Sequence, residues 1–256
     1  AVLTTTQAAN LSTTQLNLLE TSDVAALSTA AVASLTSTQL NALNSTNLQA
    51  LSTTQAAALT TLQAANLSST QLNLLQTSDL AALSTAAAAS LSSTQLNALN
   101  STNLQALTTA QAAKLSTTAV ANLTTTQLNL METSDVAALG TGQVAALTST
   151  QLNALTSTNL QALTTTQMPG LSTTAAANLT TTQLNLLETS DVAALGTAAV
   201  ASLTSTQLNA LTSTNLQALT TVQNAVLTTT QAANLSSTQL NLLQTSDVAA
   251  LGTAAV

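Results

Sequence analysis

The chain has 256 residues with one basic side chain, eight acidic ones, and no His, Cys, Phe, Trp or Tyr, for a formal net charge of −7. Hydrophobic residues make up 45 % and charged residues only 4 %, against roughly 25 % charged in ordinary domains. This excludes ordinary zinc, haem and iron–sulfur sites and Cys–His or Ser–His–Asp catalysis. With Lys114 as the only basic side chain, it also excludes nucleic acid as a partner, because nothing neutralises a run of phosphates.

No cofactor is implied, and the absence of Cys leaves the redox compartment open. A positive mean hydropathy of +0.36 argues against disorder. No apolar run approaches the ~18 residues of a membrane span. Ala1-Val2-Leu3 has neither Met nor a basic stretch and reads as a mature or excised segment, not a signal peptide.

From Leu3 onward the chain is one octapeptide written thirty-two times. Position 1 is Leu at 3, 11, 19 and every eighth residue to 251, except Met131. Position 3 is always Ser or Thr, and position 5 only Gln, Ala, Asp or Asn. Position 6 is Leu, Val, Ala or Met, except Asn224, and positions 7 and 8 are mostly Ala and Asn. The octad opening at Leu19, LETSDVAA, returns in variant form at Leu75, Met131, Leu187 and Leu243, each seven octads after the last. It holds every acidic residue: Glu20, Asp23, Asp79, Glu132, Asp135, Glu188, Asp191 and Asp247. The octad four later is the variable one, carrying Lys114, Met168-Pro169-Gly170 and Asn224. The pattern predicts one continuous array over 1–256, a piece of a longer array with no domain boundary. The seven-octad period predicts one superhelical turn, or one lattice repeat against other copies.

Each octad has the grammar of a helix start. Position 2 is mostly Ser, Thr, Asn or Gly, the favoured N-cap residues. Gln at position 5 then falls at N3 and completes a capping box, while Leu 1 and the apolar residue at 6 form a hydrophobic staple. Leu35–Leu43, LTSTQLNAL, contains every part. Two or three Ser/Thr per octad disfavour a continuous helix. The expected fold is therefore all-α: a solenoid of very short helices, one per octad, each marginal alone and stabilised by stacking its leucines on neighbours. Two facts fit poorly. The invariant hydroxyl is at position 3, not at the cap, and Glu or Gln takes position 2 in the acidic octads. The alternative is a β-solenoid with Thr and Asn/Gln rows, which explains an invariant Thr. Against it, the residues at 1 and 6 have opposite parity on a strand, and Gly is scarce for so many turns.

No catalytic constellation emerges, and the chain reads as a non-enzyme; Ser has no base partner except Lys114. Asp23, Asp79, Asp135, Asp191 and Asp247 are candidates for cation contact, but calcium takes six to eight oxygens. The bland account is a carboxylate at N3 favouring the helix N-terminus. If seven octads make one turn, these five Asp line up as one stripe. Regular Thr/Ala rows raise an ice-binding alternative, against the simpler role of Ser and Thr in capping and turning the chain. Recurrent Asn-x-Ser/Thr triplets such as Asn10-Leu11-Ser12 and Asn44-Ser45-Thr46 are expected by chance in this composition.

The string Leu-(Ser/Thr)-x-x-Gln-(Leu/Val)-x-Ala-Leu resembles helix openings of bacterial repeat proteins. It is similar above all to very long, low-complexity surface or adhesin-type proteins with tandem octads of this kind. The resemblance spans all thirty-two octads and implies a structural, extracellular role at a cell surface, including a cation-dependent adhesin segment as one form; it supplies no functional residues. The reading is a rod-like or superhelical spacer, stalk or filament segment that works through shape and self-assembly. Its partners are other copies of itself or of the same array, since a surface with so little charge tends to associate.

Overall fold

The computed structural model describes residues 3–251. Among them are thirty α-helices of four to six residues, one 3₁₀ turn at Met168–Gly170, and no strand. The short-helix solenoid is therefore the fold, and the β-solenoid is not. The chain divides into two compact units, Ala1–Met131 and Glu132–Val256, each built by the same rules. The division falls between positions 1 and 2 of an octad, with no break in the repeat.

Every α-helix begins at the position-3 Ser or Thr. The preceding residue is an extended N-cap, as at Thr36 (φ −73°, ψ 157°), whose hydroxyl accepts the Gln39 amide. Each octad's helix ends before the next Leu. In many octads that Leu is extended too, as at Leu35 (φ −64°, ψ 140°), and its own amide bonds the Val32 carbonyl at 3.1 Å. Two consecutive extended residues thus redirect the chain between helices. No described residue, glycine or other, has a positive φ. Scarcity of glycine is accordingly no obstacle to so many corners.

The invariant hydroxyl occupies N1 and is exposed or half-exposed throughout. Nothing in the packing explains why no other residue type stands there. In the acidic octads Glu20, Gln76, Glu132, Glu188 and Gln244 stand at the N-cap without a side-chain cap bond.

The core is made by positions 1 and 6, as the staple requires. Every position-1 residue from Leu27 to Leu251 is buried, and so is every apolar position-6 residue from Ala8 to Ala232. Within a unit each helix lies against the helix three octads further on. Polar side chains bond backbone groups 25 to 31 positions away, centred on a separation of 28. One turn therefore takes about three and a half octads. Seven octads span about two turns, and not the single turn anticipated from the period.

Among the octads described from Leu3 to Ala250, only the one opening at Leu163 has no α-helix, and Pro169 stands in it. Proline lacks an amide hydrogen and crowds the preceding turn, and Gln167–Gly170 tightens into a 3₁₀ turn. A Cβ at Gly170 would stand 2.6 Å from the Thr141 carbonyl oxygen, so the backbone of the neighbouring turn demands glycine there. The octad stays in register nonetheless, with Met168 fully buried in the position-6 place.

Leu72 is fully buried at position 6. Leu72→Ala should cost about 2–5 kcal/mol, read as earlier loss of helical circular dichroism in urea. An unchanged transition would count against a leucine core.

Candidate functional site

The polar side chains of the octad converge on one recurrent arrangement, a slot at position 5. Gln63 shows it complete. Its Nε2 donates to the Val32 carbonyl at 2.9 Å and the Leu35 carbonyl at 2.7 Å, one turn back. Its Oε1 accepts the Thr60 amide at 2.8 Å, and its own amide donates to the Thr60 hydroxyl at 3.2 Å. The last carbonyls of a short helix have no partner within it; here the glutamine of the next turn supplies one. Gln39, Gln55, Gln71, Gln95, Gln111 and Gln127 repeat the Nε2 bond to the Leu carbonyl 28 positions back in the first unit. Gln167, Gln183, Gln207, Gln223, Gln231 and Gln239 repeat it in the second. These side chains are 1–6 % exposed. The sequence identified the capping half of this role but not the half that joins turns.

A second clamp runs the other way. Asn41, at position 7, donates to the Asn66 carbonyl at 2.7 Å and accepts the Ser68 amide at 2.7 Å. Asn17, Asn73, Asn97, Asn153, Asn185 and Asn209 do the same across one turn. The two clamps share one donor. Where an earlier Asn takes the N-cap amide, as at Ser68, Thr180 and Ser236, the capping box is absent. Where none does, as at Thr60, the box is closed by the octad's own Gln. The Asn role was invisible in the octad alone, because both of its partners lie in the following turn.

The acidic octads place Asp in this slot. Asp79, Asp135, Asp191 and Asp247 are 1–4 % exposed, while Asp23, in the first described turn, is exposed. The five therefore do not form a surface stripe, and lie about two turns apart within each unit. Glu20, Glu132 and Glu188 are exposed at the N-cap. Burial raises the Asp79 carboxyl above the usual range, partly offset by the Gln76 amide. Burial and then the Glu132 carboxylate push Asp135 up to about 6, and burial with Glu188 raises Asp191. No group of three or more His, Cys, Asp or Glu that could hold a metal ion occurs among the described residues.

Asn224 takes the position-6 core place and is fully buried. Its Nδ2 donates to the Leu219 and Thr220 carbonyls, while its Oδ1 has no partner. Lys114 is exposed. A shallow surface hollow lined by Thr141, Gly142, Ala145, Pro169 and Gly170 contains no titratable side chain. No described helix is long and apolar enough to cross a membrane.

A family model described as the ALTTAQ repeat matches residues 16–53, 72–109, 129–165 and 185–221, more than half of the chain. The chain belongs to the ALTTAQ repeat family. The matched segments recur at close to the seven-octad period. The hexapeptide Ala106-Leu107-Thr108-Thr109-Ala110-Gln111 spells the motif, and its structure gives each letter a place. Leu107 is the buried corner, Thr108 the N-cap, Thr109 the first helical residue and Gln111 the slot residue. The motif is thus the smallest piece of sequence that turns a corner and ties it to the previous turn. A comparison with curated proteins finds no match.

Two variants test these roles. Gln63→Ala leaves the Leu35 carbonyl and the Thr60 amide without their side-chain partner and the Val32 carbonyl with the Leu35 amide alone. It should cost about 1–3 kcal/mol, seen as faster amide hydrogen exchange over residues 32–36 and 60–67. Asn224→Ala removes a buried unpaired oxygen from a place where Ala56 and Ala112 already pack. It should leave stability unchanged or raise it by about 1 kcal/mol, read as a later denaturation midpoint.

Proposed function

We propose that this ALTTAQ repeat chain is a non-catalytic structural element, an extracellular spacer or stalk segment that assembles with further copies of the same array. The observation that supports this reading is the use made of its polar side chains. Gln and Asn at positions 5 and 7 go into bonds that tie one turn to the next, and the caps at position 2 go into bonds that start their own helix. What faces outward is mainly hydroxyl, amide and alanine. Such a unit adds length with each octad and no new chemistry, and contacts between neighbours alone set its stability. The likeness to long bacterial surface proteins supports the extracellular placement, and the sparse charge supports association between copies.

Deletion of one in-phase block of seven octads, residues 76–131, tests the spacer role. The shortened chain should keep its helicity per residue and lose about a fifth of its contour length in electron micrographs, because stacked repeats contribute additively. Collapse of the remaining helices, or a contour unchanged in length, would count against interchangeable spacer units. Sedimentation of the intact chain tests association: a monomer at all concentrations overturns that half of the reading.

A further inference from the structure

The slot at position 5 is built for a hydrogen-bond donor, yet once in every seven octads it receives a carboxyl. In the first unit Gln55, Gln63, Gln71 and Gln95 sit on carbonyls 28 and 31 positions back. The same register sets Asp79 opposite the Leu48 and Leu51 carbonyls. Asn, the shape of Asp with an amide in place of one oxygen, occupies the same slot elsewhere. Asn47 donates from Nδ2 to the Leu16 and Leu19 carbonyls at 3.0 and 3.1 Å. In Asp79 an oxygen replaces that nitrogen. Its Oδ2 is buried without a partner, in a side chain 1 % exposed. In the second unit Asp191 stands in the same register opposite the Leu160 and Leu163 carbonyls and is 3 % exposed.

We propose that Asp79 and Asp191 are held in their slots as neutral carboxylic acids, each donating its O–H to a leucine carbonyl of the preceding turn, and that ionisation loosens that turn, making the array pH-sensitive. An ionised carboxylate has no donor and would face acceptor oxygens in a dry slot, a costly arrangement. One proton converts that repulsion into a hydrogen bond, doing what the amide does in the octads that carry Asn or Gln in the slot. A bound cation is the weaker solution, since two carbonyls and a carboxylate fall short of calcium's six to eight oxygens.

The Gln76 amide offsets part of the burial of Asp79, but the helices packed against the two Asp helices bring no charge to neutralise them. Asp79 lies in the helix Thr77–Ala82, packed between Thr53–Ala57 and Ser101–Gln105, neither of which has a titratable residue. Asp191 lies in Thr189–Ala194, packed between Met168–Gly170 and Ser213–Gln217, again without one; its only charged neighbour is Glu188 at its own cap, which opposes ionisation. Burial raises both carboxyls from 3.8, in keeping with the geometry. A raised carboxyl binds its proton more tightly in the folded chain than in the unfolded one. Its contribution is therefore complete below the ordinary value and is lost as pH rises through the folded one.

The test uses the full chain, with Asp→Asn at 79 and at 191 singly and together. Carbon-13 resonances of the aspartate carboxyls should include two that titrate well above the ordinary value of about 3.9, one vanishing in each single variant. Amide exchange over residues 48–51 and 76–83, corrected for intrinsic rate, should be at least several-fold faster at about pH 8 than at about pH 4 in the parent. In D79N it should be slow at both, because Asn already serves this slot. Asp79 and Asp191 resonances, each assigned by its loss in the single variant, that titrate in the ordinary range, or D79N exchanging faster than the parent at neutral pH, overturns the proposal. So does protection restored at neutral pH by added calcium and lost in D79N, which would mark a cation site.

Discussion

The structure depends on one requirement: the carbonyl groups at the end of each helix must find donors although the helix is too short to supply them. A helix of four to six residues leaves most of its backbone groups without an internal partner. Here the corner of one turn is laid against the helix body of the next, and a buried glutamine bridges them. Gln63 joins the Val32 and Leu35 carbonyls while closing its own capping box at Thr60. In octads with Gln or Asn in the slot, the residue that starts a helix is the one that finishes another, so these octads are not satisfied alone. That is why helices individually too short to persist are stable in a stack.

The same geometry accounts for the seven-octad period. A turn of about three and a half octads places corners over helix bodies, so the octad phase is restored only after two turns. Residues seven octads apart therefore share both a place in the octad and a place around the turn. Within each unit the Asp residues stand at matching places about two turns apart, as do the variable octads opening at Leu51 and Leu107 in the first unit and at Leu163 and Leu219 in the second. The variable octads differ in what they put in the core, from Ala56 and Ala112 through Met168 to Asn224. Variation is tolerated there as long as Gln remains in the slot, as Gln167 does beside Pro169.

An array built this way turns its recognition chemistry inward. Amides that could define a ligand site are used between turns, cap hydroxyls are used at the start of their own helix, and the departures from this economy are few. Asn224 carries an unpaired oxygen in an apolar place. The slot carboxyls substitute an acceptor for a donor, and burial raises those of Asp79, Asp135 and Asp191. Both belong to the seven-octad rhythm, the one in a variable octad and the other in an acidic octad.

By itself the sequence determined the local structure. The spacing of Leu, cap, Gln and second apolar residue indicated where each helix starts and which apolar side chains are buried, because capping and stapling act within one octad. It also favoured the all-helical class over a β-solenoid and revealed a tandem repeat protein. The number of octads in a turn was decided only by the tertiary structure. Contacts that join one turn to the next leave no mark within an octad, and the period suggested a turn of twice the observed size. For the same reason the forward clamp of Asn41 and its equivalents, and the burial of Asp79 against backbone carbonyls, became visible only when successive turns were stacked. A carboxylate at N3 reads as an exposed helix start in sequence; what covers it is set by a chain segment a full turn away.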